Sequence, residues 1–262
     1  MNKVLGRQAL YPLKQSIPLV EAWFSSPLGK AIFNAQQHCL EGVLKKLYGS
    51  SVLQLSILRD PSFKTLDCAL PLAMGPLPGG AVQALCDDGQ LPVGTNLMDI
   101  AVIHHYMEYS QNPHQLLKEV SRILTPSGYV VIVGFNPHSF LGLRSVFGRF
   151  QRQGILHNHP VSAKRIADWL TLLDFTVTDV RYGFYQLPFN TFSHSRKFNF
   201  INRYLNAKQW PLGGFYVLIA KKEVAPLTPT NDYLELIRKS MIPIMEPSLY
   251  TSPKKMPKQA EE

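Results

Sequence analysis

Between Asp99 and Pro137 the chain runs from a fully apolar stretch through a helical repeat to a second apolar stretch. Ile100, Ala101, Val102 and Ile103 form the first run, and the polar pair His104–His105 follows at once. Asn112-Pro113 then opens a helix, since Pro suits the first helical position and Asn a cap. Leu116, Leu117, Val120, Ile123 and Leu124 recur at spacings of three and four, with Lys118, Glu119 and Arg122 on the other face. Thr125-Pro126-Ser127-Gly128 stops the helix and turns the chain. Val130 to Val133 is again wholly apolar and mostly β-branched, as expected of a strand buried on both faces. The pattern predicts a βαβ unit.

The flanking pattern extends it. Residues 1–18 show no period and are expected to be a flexible arm. From 19 to 48 the chain reads as leading helices. Val20, Trp23 and Phe24 make one short apolar face, Ser25-Ser26-Pro27 breaks it, and a stripe from Leu28 through Ile32, Leu40 and Val43 to Leu47 follows. Ser51 to Ile57 alternates as a first strand. Leu66 to Leu72 and Ala81 to Cys86 are expected as a second and a third, with Pro and Gly between them leaving little room for a helix. Downstream, Leu141, Val146 and Phe147 suggest a helix with Arg144, Arg149 and Arg152 on its polar side. Another helix is expected over Val161 to Leu173, capped by Ser162. Phe175–Tyr182 and Phe215–Ala220 read as strands. Residues 183–214 form an aromatic and basic insertion between them, either a functional lid or a helical hairpin packed on the core. Residues 223–262 are interrupted by Pro throughout and read as a tail, which leaves 19–222 as one domain.

Length and composition narrow the setting. A chain of 262 residues with 45% apolar residues can bury a substantial α/β core. No apolar run approaches the ~20 residues that a membrane-spanning helix needs. The N-terminus lacks the apolar region of a secretion signal. Three cysteines, Cys39, Cys68 and Cys86, match no metal spacing and no disulfide framework. A reducing cytoplasm is the expected location. His157-x-His159 lies in a loop without a nearby third ligand, and no metal site is expected.

The net charge of +9 is concentrated. Residues 141–222 carry 12 basic and 3 acidic side chains, whereas the remainder of the chain is balanced. This marks either a solvated basic face or a surface for an anionic partner, such as a phosphate-bearing substrate, a nucleic acid or a membrane surface. The insertion interleaves Phe184, Tyr185, Phe189, Phe192, Phe198, Phe200, Tyr204 and Trp210 with Arg196, Lys197, Arg203 and Lys208. Stacking and cationic groups in that mixture suit nucleic acid as well, though no nucleic-acid motif accompanies them.

The stretch from Leu91-Pro92 through Met98-Asp99-Ile100-Ala101-Val102, His105-Tyr106-Met107-Glu108, Asn112-Pro113, Leu116-Leu117-Lys118-Glu119 and Arg122-Ile123-Leu124 to Pro126-Ser127-Gly128 and Gly134 resembles a class I S-adenosylmethionine-dependent methyltransferase of the type 11 group. The resemblance implies a Rossmann-like α/β fold. Its seven-stranded, mostly parallel sheet would have the order 3-2-1-4-5-7-6, with helices on both faces. It also implies S-adenosylmethionine as cofactor. The first strand of this family leads into a glycine-rich loop, because glycine takes the required angles cheaply. Here the aligned residues are Gln54-Leu55-Ser56-Ile57-Leu58-Arg59-Asp60, without a glycine.

On that resemblance the cofactor-binding candidates are Gln54, Ser56, Leu58, Asp87, Asp88, Leu91 and His104. Asp67 is a stand-in for the acid that holds the ribose. Asp87 and Asp88 also read as an ordinary turn before Gly89. His104, His105 and Tyr106 are catalytic candidates as proton acceptors, or else a packed pair and its neighbour. Glu108, Asn136 and His138 are substrate candidates at the ends of the two central strands. Three readings follow. The chain is a methyltransferase acting on a small-molecule or anionic substrate; or a methyltransferase-like scaffold that binds another molecule without the cofactor; or a nucleic-acid-binding protein.

Overall fold

The structure is a computed structural model that describes residues 13–59, 62–63, 70–86, 89–139, 160–185 and 209–223. Seven strands form one sheet in the order β3-β2-β1-β4-β5-β7-β6. They are β1 (Ser51–Ser56), β2 (Leu70–Gly75), β3 (Ala84–Leu85), β4 (Met98–His104), β5 (Leu124–Phe135), β6 (Phe175–Gly183) and β7 (Phe215–Lys222). β1 to β5 pair in parallel, and β7 runs antiparallel to both β5 and β6. This is the expected mostly parallel sheet in the expected order. Helices α1 (Leu13–Phe24) and α2 (Pro27–Leu44) cover one face; α3 (Pro113–Ile123) and α4 (Ala163–Thr171) cover the other.

Alternation along the central strands explains both layers. Ile100, Val102, Val131, Val133, Val217 and Ile219 point to α1 and α2. Ala101, Ile103, Val130, Ile132, Leu218 and Ala220 point to α3 and α4. Side chains of both sets are almost fully enclosed. Each such Val, Leu or Ile stabilises the fold by about 1.5–3 kcal/mol relative to an exposed one. That is why these strands read as unbroken apolar runs.

Several boundaries differ from the pattern-based expectation. α1 begins at Leu13, within the segment read as an arm, and Ile17 is buried. Its apolar residues were too few to show a period. β3 is only two residues long and half exposed, because Gly79 and Gly80 turn the preceding chain tightly. Asn112 makes no capping hydrogen bond; Pro113 alone marks the start of α3. Ser162 does cap α4, accepting from Arg165 N at 3.4 Å. Leu124, read as the end of the helix, and residues 125–128, read as a turn, belong to β5, where Ser127 takes φ 66° and the register shifts opposite Met98–Ile100. Lys222 ties this junction by donating to Ser121 O at 2.7 Å and Leu124 O at 2.8 Å. The helix expected after Leu141, most of the insertion 183–214 and the tail from 224 lie outside the described residues, as do Asp67, Asp87, Asp88, His157 and His159.

Candidate functional site

The C-terminal ends of β1, β4 and β5 lie side by side, which is where doubly wound sheets place ligands. Polar residues break the apolar pattern there on three elements at once. β1 ends in Ser56, β4 in His104, and the chain then passes through His105 to Glu108. α2 adds Gln36 from above. All five side chains are buried. Burial of so many polar groups requires that they satisfy one another.

They do so in a single chain of hydrogen bonds. Ser56 Oγ lies 3.2 Å from His104 Nδ1, and His104 Nε2 lies 3.2 Å from Gln36 Oε1. Gln36 Nε2 lies 2.9 Å from His105 Nε2, and His105 Nδ1 lies 3.1 Å from Glu108 Oε2. Glu108 Oε1 accepts the backbone N–H of Phe135. Because an amide oxygen only accepts and an amide nitrogen only donates, the order of protons is determined. His104 donates from Nε2 and accepts the Ser56 hydroxyl at Nδ1. His105 accepts at Nε2 and donates from Nδ1 to the Glu108 carboxylate. Burial holds the His104 pKa well below its ordinary value, so its ring is neutral.

An aromatic cover seals the pair. Phe33 packs on His104 at 5.8 Å between ring centroids, Phe24 on His105 at 5.5 Å, and Phe135 on His105 at 4.2 Å. His105 itself sits at φ 53°, in the left-handed region. Backbone strain of this kind persists only where surrounding bonds over-determine it. Gly134 makes the approach of Glu108 feasible: a Cβ there would stand 2.5 Å from Tyr216 Oη and 3.1 Å from Glu108 Oε1.

The loop after β1 is held by side chains in place of glycine. Ser56 Oγ accepts from Leu58 N at 3.1 Å, and Gln54 Oε1 accepts from Ser62 N at 3.0 Å. None of Ile57, Leu58 and Arg59 is among the positive-φ residues, so no glycine is needed there. Ile57 and Leu58 turn into the core beneath α1 and α2. Arg59 forms a two-pronged ion pair with Glu21 of α1, at 2.7 and 2.6 Å. The close approach has moved to the facing turn, where a Cβ on Gly80 (φ 60°) would meet Arg59 O at 2.6 Å. Ser62 Oγ is enclosed and has no hydrogen-bond partner among the described residues.

The remaining candidates are placed as follows. Leu91 is buried and fixed from α3: its N–H donates to Glu119 Oε2 at 3.1 Å and its carbonyl accepts from Arg122 at 3.1 Å. Tyr106 is fully enclosed but belongs to the opposite core, with its hydroxyl 3.8 Å from Cys86 Sγ. It is not part of the histidine chain. Asn136 spans to the segment before β7, donating to Pro211 O and Gly213 O at 2.9 Å each, and accepts from His138 N at 3.1 Å. His138 is exposed. Sequence reading missed Gln36, although a glutamine between Ile32 and Leu40 on one helical stripe was a visible break in the apolar pattern. It also missed Ser62, for which no local signal exists.

A sequence model of the family described as "Methyltransferase domain" matches residues 46–132, from just before β1 into β5. The uncharacterised protein YafS of Escherichia coli K12 is 30% identical over 215 residues, covering 82% of this chain and 85% of that one. The chain belongs to the class I methyltransferase family. Two solved structures share the methyltransferase fold. A SAM-dependent methyltransferase from Thermotoga maritima aligns with TM-score 0.58 at 15% identity, over 82% of this chain and 99% of that one. A chain from the Haloferax volcanii complex between the Trm112 methyltransferase activator and its candidate methyltransferase aligns with TM-score 0.54 at 12% identity, over 80% and 99%. S-adenosylmethionine is the cofactor that membership of this methyltransferase family implies.

The residues at the end of β1 fit that group in their chemistry. The bulk of Ile57 and Leu58 is directed into the core, and the partnerless, buried Ser62 hydroxyl offers a bond that an amine or carboxylate would complete. The loop's Leu58 and Ser62 amides are already used internally, by the Ser56 and Gln54 side chains. Among the described residues no helix is long and apolar enough to cross a membrane, and no cluster of His, Cys, Asp and Glu could hold a metal.

Proposed function

We propose that this methyltransferase acts on a small-molecule or anionic substrate, and that Gln54, Ser56 and Ser62 hold the amino-acid end of S-adenosylmethionine. Asp87 and Asp88 take the adenine end. The observation that carries the reading is the partnerless Ser62 hydroxyl, enclosed at the end of β1 in a sheet of the family's strand order. When bound, the cofactor supplies an activated methyl group for transfer to a nucleophilic atom.

The protein's own part is positioning. His104 and His105 are fully enclosed under Phe24, Phe33 and Phe135, so they keep the site's geometry rather than meet solvent. Ser56, bonded to His104 on one side and the Leu58 amide on the other, transmits that geometry to the loop. Glu108 holds the end of β5 through the Phe135 amide, and Asn136 and the exposed His138, which follow it, are the residues assigned to the substrate in this reading. The net basic charge of residues 141–222 supports an anionic substrate.

Calorimetric titration with S-adenosylmethionine and S-adenosylhomocysteine tests the reading. Saturable heat is expected. Its absence at about 1 mM ligand, an affinity weaker than about 4 kcal/mol, would overturn it.

A further inference from the structure

α2 lies outside the sheet, yet it contributes a side chain that hydrogen-bonds to both buried histidines. Gln36 is wholly buried, its Oε1 3.2 Å from His104 Nε2 and its Nε2 2.9 Å from His105 Nε2. The two ends of an amide differ in kind: one only accepts, the other only donates. A residue with two like ends could not serve both rings in the same way.

The direction of the amide is dictated from the far end. Glu108 accepts the Phe135 amide at one oxygen and faces His105 Nδ1 with the other. As a carboxylate it accepts a hydrogen bond from His105 Nδ1, and the Gln36 amide nitrogen, 2.9 Å from His105 Nε2, meets a lone pair there. Gln36 must then present its nitrogen to His105 and its oxygen to His104. His104 consequently carries its proton on Nε2 and offers the Nδ1 lone pair to Ser56, 3.2 Å away. Ser56, with its proton committed to His104, accepts the Leu58 amide at 3.1 Å. The bend of the loop after β1 is thereby connected to Glu108 through four side chains, Ser56, His104, Gln36 and His105, with one consistent order of donors.

We propose that Gln36 is a positioning residue. Its amide holds His104 and His105 in opposite tautomers and, through His104 and Ser56, sets the bend of the loop that receives the cofactor. The loop's role in holding S-adenosylmethionine rests on the function proposed above; the tautomer lock does not. An isosteric carboxylate in place of the amide offers acceptors to both rings. In Gln36→Glu, His105 must therefore donate from Nδ1 and Nε2 together and become an imidazolium, while His104 keeps its tautomer. In Gln36→Met neither ring has a Gln36 partner at Nε2; Glu108 still holds the His105 proton on Nδ1, whereas the His104 tautomer is no longer fixed.

The test uses the full chain labelled with ¹⁵N-histidine and long-range ¹H–¹⁵N spectra at neutral pH. The wild-type protein should show His104 protonated at Nε2 only and His105 at Nδ1 only. Gln36→Glu should shift both His105 nitrogens to protonated values, and Gln36→Met should mix the tautomers of His104. The same tautomer on both wild-type rings, or an unchanged His105 in a folded Gln36→Glu protein, would overturn the proposal. Calorimetry with S-adenosylmethionine then reads the loop. Gln36→Met should bind about tenfold more weakly than wild type, as expected when one buried hydrogen bond no longer holds its partner in place. Equal affinity in a variant with mixed tautomers would overturn the connection to the loop. Opposite tautomers in a wild-type protein that takes up no S-adenosylmethionine would support the lock and sink the proposed function instead.

Discussion

Gln54 on β1 accepts the backbone N–H of Ser62 at 3.0 Å and so closes with a side chain a loop that its family closes with glycines. Both residues are buried. Gln54→Ala would leave the Ser62 amide enclosed without a partner, which costs about 1–3 kcal/mol. Urea unfolding of this variant should show that loss, and S-adenosylmethionine affinity should fall with it. Unchanged stability would mean that the loop finds another closure.

Glu119 and Arg122 of α3 grip Leu91 by its N–H and its carbonyl, and Arg122 also donates to Val93 O at 2.9 Å. The pair lies on one helix, with Arg122 Nη2 2.9 Å from Glu119 Oε2. Arg122→Ala removes two carbonyl contacts together with the ion pair. A destabilisation of about 1.5–3 kcal/mol is expected, because the lost hydrogen bonds come from a charged donor. Arg122→Lys should recover only part of it, since a single ammonium cannot reproduce the planar fork. Thermal unfolding of the two variants checks the order.

Gly134→Ala should destabilise by about 1–3 kcal/mol, since the added carbon meets the Tyr216 hydroxyl at 2.5 Å in a packed core. Tyr216 donates to Val161 O at 2.9 Å and is not free to withdraw. The same substitution at Gly42, where nothing lies within 4 Å, should be neutral or stabilising. Paired melting curves would sink this account if the two behaved alike.

Stability should decline in acid. Burial raises the Asp99 pKa, but hydrogen bonds from Ser51 and Ser50 outweigh it and bring it below the ordinary value. The Arg122 guanidinium bonded to Glu119 lowers that carboxyl in turn. Both folded-state values lie beneath the unfolded ones, at about 4. Their contribution is therefore complete above the unfolded values and is lost as pH falls through the folded ones. Denaturant midpoints should begin to fall below about pH 6.5, where His104 of the unfolded chain binds a proton that its buried ring does not, and should show a further drop below about 4 from the two carboxylates. Asp99→Asn should flatten that drop, and an unaltered acid limb would refute the assignment.

Much of the fold was legible in the chain because its central strands are buried on both faces. Ile100 to Ile103 and Val130 to Val133 then have no polar positions to blur their ends, and the α3 stripe between them is strongly periodic. α1 was not legible at Leu13, because a helix packed by only a few residues, with Pro18 inside it, leaves too short a repeat. β3 was overread for a related reason: two residues paired to one neighbour carry almost no pattern.

The candidate site was legible only as residue types. Gln54, Ser56, His104, His105 and Glu108 stood out as polar groups at the ends of apolar strands, since strand ends are a local property. The sequence alone therefore determined the βαβ unit, the sheet's family and the absence of glycine after β1. Which of those polar groups meet was decided by tertiary structure. A hydrogen bond such as Gln36 to His105 spans 69 positions, and its donor and acceptor are assigned only when α2 packs over the sheet. The loop after β1 shows the same division. Its residues look obstructive in sequence, yet Ile57 and Leu58 are harmless once α1 and α2 supply a core to receive them. Only packing tells a side chain that fills a site from one that turns away from it.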